Sequence, residues 1–272
     1  MTEVEKNDFC EVCIRALKPK TRMARRSKGA RKGKEIPAKA ATEGVVRPGL
    51  PAWLGSDWFA GLLLIALVVV AYIPVWQAGF VWDDDLHLTA NPCIIGPLGL
   101  SDIWTRGGAL QSFPLVMTTF WVEHALWGLN PLPYHLVNVG LQAASTVLLW
   151  SVLRSLRIPG AWLGAALWAL HPLQVESVAW VSEMKNTESC VFYLLAILFY
   201  VRSLPVEKDR RGTDWNYALT LLFAALAMAS KPSTVVLPAV LFLCAWWVEG
   251  GWDRRNLFRL LPVFAMTILA IA

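Results

Sequence analysis

"WFAGLLLIALVVVAYIPVWQAGFVWDDD", Trp58–Asp85, runs 25 residues without a charge and then sets three carboxylates side by side. About 20 mostly apolar residues are what a helix needs to cross the hydrocarbon of a bilayer. The uncharged run, Trp58–Trp82, is therefore read as a membrane span with Pro74 near its far end. Three neighbouring negative charges repel and hold water, so Asp83, Asp84 and Asp85 mark the point where the chain leaves the apolar phase. Nothing in a span boundary requires three of them.

The rest of the chain extends that reading. Of 272 residues, 56% are hydrophobic, and the mean hydropathy is +0.47. Further spans are expected at Leu136–Leu153, Ile158–Val175, Asn186–Leu204, Trp215–Ser230 and Pro232–Val248, with "ALHPLQ" (Ala169–Gln174) interrupting the far end of the third. A seventh begins at Leu260 and stops about 7 residues short of a crossing, which reads as a fragment. The fold class is all-α: a polytopic transmembrane helix bundle of about seven spans, the last truncated.

The net charge of +5 is uneven. Residues 1–50 hold 13 Lys/Arg against 6 Asp/Glu, and residues 51–272 hold 12 against 14. The organisation is thus a basic tail, residues 1–52, ahead of a membrane domain, residues 53–272. The tail has too few large apolar side chains to offset the entropy of ordering, so it is expected to be disordered. Its charge suits nucleic acid or anionic lipid, but a topogenic role that keeps the N-terminus in the cytoplasm is the plainer reading. Nucleic acid is not an expected partner. A cleaved secretory signal does not fit, because the first apolar run starts late and is too long.

With the tail inside, the cytoplasmic connections carry nine basic residues: Arg154, Arg157, Arg202, Lys208, Arg210, Arg211, Arg254, Arg255 and Arg259. The outer side carries three, Arg106, Lys185 and Lys231. That asymmetry sets the orientation. A multi-pass protein of the inner (plasma) membrane with a cytoplasmic N-terminus follows. Its 15 tryptophans fit an interfacial belt, with Trp58, Trp76, Trp150 and Trp215 near span ends. Residues 83–133 form a long outer loop. Within it Phe113–Trp127 is short and broken by Glu123 and His124, the pattern of a helix lying in the interface.

Four features converge on the outer face: Asp83–Asp85; "HPLQVESVAWVSEMKN", His171–Asn186; Lys231 in "SKPS"; and the stretch ending in "WGLNP", Trp127–Pro131. A carboxylate close to like charge and partly desolvated suits a general base. A cation on the same side can take the charge of a leaving phosphate. Bland readings stand beside these. The acids can simply end a span, His171 can bond a carbonyl freed by Pro172, and Lys231 can be a turn. Glu176 and Glu183 lie seven apart and can share a helical face. Metal binding by the aspartates with His87 is open, although adjacent ligands rarely converge on one ion. Cys10 and Cys13 form a CxxC far from the histidines His87, His124, His135 and His171, a weak zinc signal. Cys190 and Cys244 read as small core or lipid-facing residues. No disulfide framework is expected.

The order of "FVWDDD…NP", "FPLVMTTFWVEHALWGLNPLPYHLVNVGLQAASTVLLW", "ALHPLQVESVAWVSEMKN" and "MASKPSTVVLPAVL" resembles the bacterial relatives of the transmembrane and tetratricopeptide-repeat-containing O-mannosyltransferases. These are multipass glycosyltransferases of the C-type fold, and the resemblance covers about residues 75–250. It implies transfer of a sugar from a polyprenyl-phosphate carrier to a hydroxyl, most naturally of a protein Ser or Thr, on the outer face. The lipid-linked sugar is then a substrate, membrane lipid and the acceptor protein are partners, and no cofactor or metal is assigned.

The family's acidic pair falls on Asp83 and Asp84, the catalytic candidates, with Asp85 an extra acid. An extended segment would point the two side chains oppositely, and Asp84 is favoured as the base. Lys231, Lys185, His171 and Glu176 are the candidate substrate and phosphate ligands. Met184-Lys185 departs from the commoner Arg-Lys or Arg-Asn pair. No repeat of 34-residue period is found. A reading of another class stays open: a non-catalytic membrane scaffold presenting tetratricopeptide repeats to a protein partner.

Overall fold

The computed structural model describes residues 56–105, 113–204, 213–251 and 254–271. The basic tail with Cys10 and Cys13, and the basic residues Arg106, Lys208, Arg210 and Arg211, lie outside them. All regular structure among the described residues is helical. The helices are α1 (Asp57–Ala71), α2 (Leu100–Thr105), α3 (Pro114–Trp127), α4 (Pro131–Ser155), α5 (Ala161–Ala169), α6 (Gln174–Ala179), α7 (Met184–Ser203), α8 (Thr213–Ser230), α9 (Leu237–Glu249) and α10 (Arg254–Ile271).

Local signals explain most boundaries. Asn130 caps α4 by accepting from Leu132 N–H at 3.3 Å, with Pro131 at the first helical position where its missing N–H costs nothing. Lys231 takes an extended backbone (φ −156°, ψ 120°) because Pro232 follows it, which ends α8. A 3-10 turn, Pro232–Val236, then leads directly into α9.

Two segments among the described residues are long and apolar enough to cross a membrane: Pro131–Ser155, and Pro232–Glu249 counted through its 3-10 start. Only 44% and 33% of their most apolar stretches are buried inside the protein. Leu62, Val70, Leu163, Leu167, Leu222 and Leu269 are likewise exposed on other helices. An outer surface this apolar suits hydrocarbon and not water. The other expected spans map onto shorter or more polar helices. α1 has 15 residues, and α7 has 20 but carries Lys185, Glu188 and Arg202. The third is the most reduced. α5 has 9 residues, about 13 Å of helix, and it stops at Ala169 because Pro172 disfavours helical backbone before it.

Chain direction alternates through the bundle, and side-chain contacts fix which ends lie together. Arg154 at the end of α4 pairs with Asp57 at the start of α1 at 2.8 Å. Trp162 of α5 donates to the Ala60 carbonyl at 3.0 Å. Trp247 near the end of α9 donates to the Leu156 carbonyl at 3.0 Å. Tyr217 and Arg259 meet by a cation–π contact at 4.9 Å. These residues define one end of the bundle. α7 is the central helix. Its Leu194, Ile197, Leu198, Tyr200 and Val201 pack with Ala224 and Met228 of α8, Leu241 of α9 and Leu260 of α10. A second core under the opposite end gathers Leu88, Ile103, Phe120, Tyr134, Val181 and Met184. Cys190 and Cys244 pack against the main core, half-buried.

Candidate functional site

The acidic segment is folded, not extended. Trp82 has a left-handed backbone (φ 51°), unusual for a bulky residue, and its ring stacks on Trp180 at 6.0 Å. The chain then turns helically: Asp84 N–H donates to Val81 O (3.1 Å) and Asp85 N–H to Trp82 O (3.3 Å). A wide turn follows, closed by Ala90 N–H on the Asp85 carbonyl at 2.7 Å. His87 is buried and its Nδ1 donates to the Asp83 carbonyl at 2.8 Å. Asn91 locks the far side, giving Nδ2–H to Leu86 O and taking Cys93 N–H at Oδ1.

This turn gives the aspartates different fates. Asp84 is fully buried. Its Oδ2 accepts from Val81 N–H at 2.9 Å and its Oδ1 from Ser182 N–H at 2.7 Å. Asp83 and Asp85 are exposed, and Asp85 accepts from Thr89 Oγ1. Asp84 therefore ties the acidic turn to the linker between α6 and α7, and the carboxylate left open beside it is that of Asp83.

The linker is pinned from the other side. Asn138 of α4 is fully buried and its Nδ2 reaches the carbonyls of Ser177 (3.2 Å), Val178 (3.1 Å) and Trp180 (2.9 Å), which α6 leaves unpaired at its end. Thr187 Oγ1 donates to Asn138 Oδ1. Next to this lies a polar chain. Lys231 Nζ donates to Asn186 Oδ1, and Asn186 Nδ2 donates to Ser177 Oγ at 3.0 Å and Glu183 Oε2 at 2.6 Å. Glu183 Oε1 pairs with Lys185 Nζ at 2.7 Å. Lys185 also sits over the Phe113 ring at 5.5 Å. Lys231 and Lys185, 46 positions apart by their numbering, are thus joined through Asn186 and Glu183.

Two carboxylates lie among the surrounding helices. Glu188 of α7 accepts from Thr119 Oγ1 of α3 and from Ser230 Oγ of α8, both at 3.1 Å, which locks the neighbour of Lys231 in place. Glu123 of α3 is buried, and neither of its oxygens has a hydrogen-bond partner. Burial first, and the nearby Glu188 second, push its carboxyl up to about 8. His135 of α4 is fully buried within electrostatic reach of Asp84, with its ring against the Ala78 and Gly79 backbone.

The structure thus ties Asp84 to the linker that leads to Lys185, with Lys231 bonded to Asn186 and Asp83 exposed beside Asp84. Among the described residues no side-chain hydrogen bond or ion pair joins His171 or Glu176 to these groups. Both are exposed, and the His171 Nδ1 accepts from Leu173 N–H at 3.2 Å instead of bonding a freed carbonyl. Glu176 and Glu183 do not share a helical face, because α6 ends between them and Glu183 caps α7. Among the described residues no group of three or more His, Cys, Asp or Glu could hold a metal ion. Asn138, Thr187, Glu188 and Ser230 escaped the reading of the sequence, which noted Glu123 and His135 without giving either a role at this end. Of the four, only Glu188 puts a charge into an apolar run and could have been singled out.

Comparison with known proteins bears on this arrangement. The chain is similar to protein O-mannosyl-transferases. It is 33% identical over 213 residues to Protein O-mannosyl-transferase Tmtc1 of Drosophila melanogaster, covering 73% of this chain and 24% of that protein. It is 32% identical over 194 residues to Protein O-mannosyl-transferase TMTC2 of Homo sapiens, covering 66% and 23%. To human Protein O-mannosyl-transferase TMTC4 it is 27% identical over 212 residues. The chain spans about a quarter of the length of the curated relatives it matches. No protein-family model and no solved structure matches it.

Proposed function

We propose that the chain is the membrane part of a glycosyltransferase of the O-mannosyltransferase kind, bacterial in type. It transfers a sugar from a polyprenyl-phosphate carrier to a protein hydroxyl on the extracytoplasmic face of the inner membrane. The observation that carries this is the 2.7 Å bond from Ser182 N–H to Asp84. It holds the acidic turn against the linker that leads through Glu183 into Lys185 and Asn186 at the start of α7, with Lys231 joined on. An exposed acid beside that tie and two cations joined through Asn186 and Glu183, backed by the names of the relatives, favour group transfer from a phosphate over a scaffold.

In this reading Asp83 is the base. Its exposed carboxylate takes the acceptor's hydroxyl proton as the oxygen attacks the sugar C1, which passes through oxocarbenium character. The bond from C1 to the phosphate oxygen breaks, and the polyprenyl phosphate leaves as the anion. Lys231 and Lys185 steady its charge. A single displacement inverts the anomeric centre. Asp84 is a positioning residue that fixes the turn, and His171 and Glu176 have no part in this step. About seven spans, a cytoplasmic N-terminus and an outer loop over residues 83–133 complete the proposal.

The test is an in vitro transfer assay with purified full-length protein, polyprenyl-phosphate mannose and other polyprenyl-phosphate sugars, and Ser/Thr peptides. Transfer that Asp83→Asn abolishes is the expected result. No transfer from any donor, by protein that is folded and inserted, supports the scaffold reading instead.

A further inference from the structure

At the end of the bundle away from the acidic turn, the ends of α4, α7 and α9 enclose a cleft of about 560 Å³, within the range of pockets that hold small ligands. Its walls are apolar at Leu156, Val201 and Val248, with the Trp247 indole at one edge. Arg157 and Arg202 also line it. Both are exposed, and among the described residues neither forms an ion pair. Arg202 lies over the Phe199 ring at 5.7 Å, and Trp247 is tethered by its N–H to the Leu156 carbonyl at 3.0 Å.

Arg157 occupies an unusual place. It follows α4 with a left-handed backbone, φ 58°. Its N–H reaches the Arg154 carbonyl at 2.9 Å and the next N–H, of Ile158, reaches the Leu153 carbonyl at 3.0 Å. That is the helix-ending motif in which glycine is the favoured residue. Glycine does take the comparable place after α9, where Gly250 has φ 70°. The backbone at 157 would relax with glycine, so the side chain and not the turn accounts for arginine there.

We infer that this cleft binds the phosphate headgroup of an anionic phospholipid, with the first carbons of an acyl chain against its apolar walls. The inference goes beyond the proposed transfer reaction and needs only that α4 crosses the bilayer. Its C-terminal end then lies at headgroup depth, where a tryptophan is also at home. A basic pocket between helix ends at that depth is built for an anionic headgroup. Free phosphate would gain nothing from the apolar walls. The polyprenyl phosphate of the proposed reaction is not the occupant, because Arg202 is about 24 Å along α7 from Asn186.

The experiment uses full-length protein in mixed micelles. Binding of phosphatidylglycerol and of phosphatidylcholine is titrated by native mass spectrometry, and inorganic phosphate is tested alone by its effect on Tm. Phosphatidylglycerol should bind tighter than phosphatidylcholine. Arg157→Gly combined with Arg202→Ala should weaken phosphatidylglycerol about 25-fold, from roughly fivefold for each arginine, and leave phosphatidylcholine unchanged. Arg157→Gly alone should keep or raise the lipid-free Tm while still losing about fivefold, which separates the ligand role from folding. Lysine at both positions should restore most of the binding. Equal phosphatidylglycerol binding by the wild type and the double variant overturns the site. So does equal binding of the two lipids. A Tm shift from inorganic phosphate as large as that from phosphatidylglycerol assigns the cleft to free phosphate and overturns the lipid.

Discussion

The two ends of the helix bundle are both rich in polar side chains and treat them in opposite ways. At the end with the acidic turn, polar groups are buried and tied to one another. Asp84 holds two backbone N–H groups, Asn138 holds three carbonyls, and Glu188 holds a hydroxyl from each of two other helices. At the other end Arg154, Arg157 and Arg202 sit on exposed stems, while Arg259 bonded to Ser203 and Asn256 bonded to Glu249 are the less exposed exceptions. The Arg154–Asp57 pair has side chains 47% and 71% exposed, and such a pair is worth about 0–1 kcal/mol. Fixed geometry is what a reaction needs, since a displacement of about 1 Å can cost a hundredfold in rate. Only the sign of charge is needed to orient a protein or attract a lipid. In the proposed reading the contrast separates an end suited to chemistry from an end suited to a membrane surface.

The comparison breaks first on sidedness, where the expected effect is all or none. In a cysteine-free background, Ala90→Cys, exposed next to the acidic turn, should react in intact cells with a thiol reagent that cannot cross the membrane. Pro159→Cys, exposed at the basic end, should react only after the cells are opened. The reverse pattern removes the proposed orientation and with it the lipid-linked donor at that face.

The next largest effect falls on the aspartates and sharpens the division of labour between neighbours. Asp83→Asn keeps the shape of an exposed side chain and removes the proton acceptor. Transfer should fall about 10²- to 10⁴-fold with Tm unchanged. Asp84→Asn puts an amide donor against a backbone N–H in a fully buried place, so it should lower stability by about 1–3 kcal/mol, read as a fall in Tm. If Asp84→Asn abolishes transfer at unchanged Tm and Asp83→Asn does not, the base is Asp84.

Lys231 comes next. Replacing it with alanine removes the charge proposed to face the leaving phosphate and leaves Asn186 without its donor. The rate should drop about 10- to 150-fold, and Lys231→Arg should drop less. Equal small losses from both changes would make Lys231 the turn residue that its place before Pro232 also explains.

What could be read from the sequence follows the same contrast. Asp83, Asp84, Lys185 and Lys231 stood out because charge is conspicuous in an apolar chain. α4 and α7 fell close to their expected places, although α4 begins earlier because the Asn130 cap and Pro131 extend it. The third expected span is a nine-residue helix, since Pro172 outweighed the apolar composition around it. Asn138, Thr187 and Ser230 were invisible for another reason. An uncharged polar residue inside a helix has no periodic signature, and its partner is chosen by packing. Thr119 and Glu188 lie 69 positions apart, and only the seating of α3 on α7 brings them together. The choice of Asp84 as base rested on an extended segment, and the left-handed Trp82 makes it a turn.

The test with the smallest expected effect on transfer probes the buried acids near the site. Glu123 is held neutral by burial and by Glu188, with its carboxyl pushed up to about 8 from an ordinary 4.5. The folded protein therefore binds a proton between those two values that the unfolded chain has lost, and stability falls as pH rises across that window. Below about 4.5 both states are protonated and the group costs nothing. Above about 8 both are ionised and the full cost is present. The slope is at most about 1.4 kcal/mol for each pH unit. The Tm of the detergent-solubilised protein should fall from pH 5 to pH 8 more steeply than that of Glu123→Gln. That variant keeps the shape and never ionises, so it should be the more stable of the two at pH 8. Identical pH profiles would mean that Glu123 is ionised at neutral pH, held by a cation or donor that the fold brings to it. The site end would then contain a buried charge as well as a buried network.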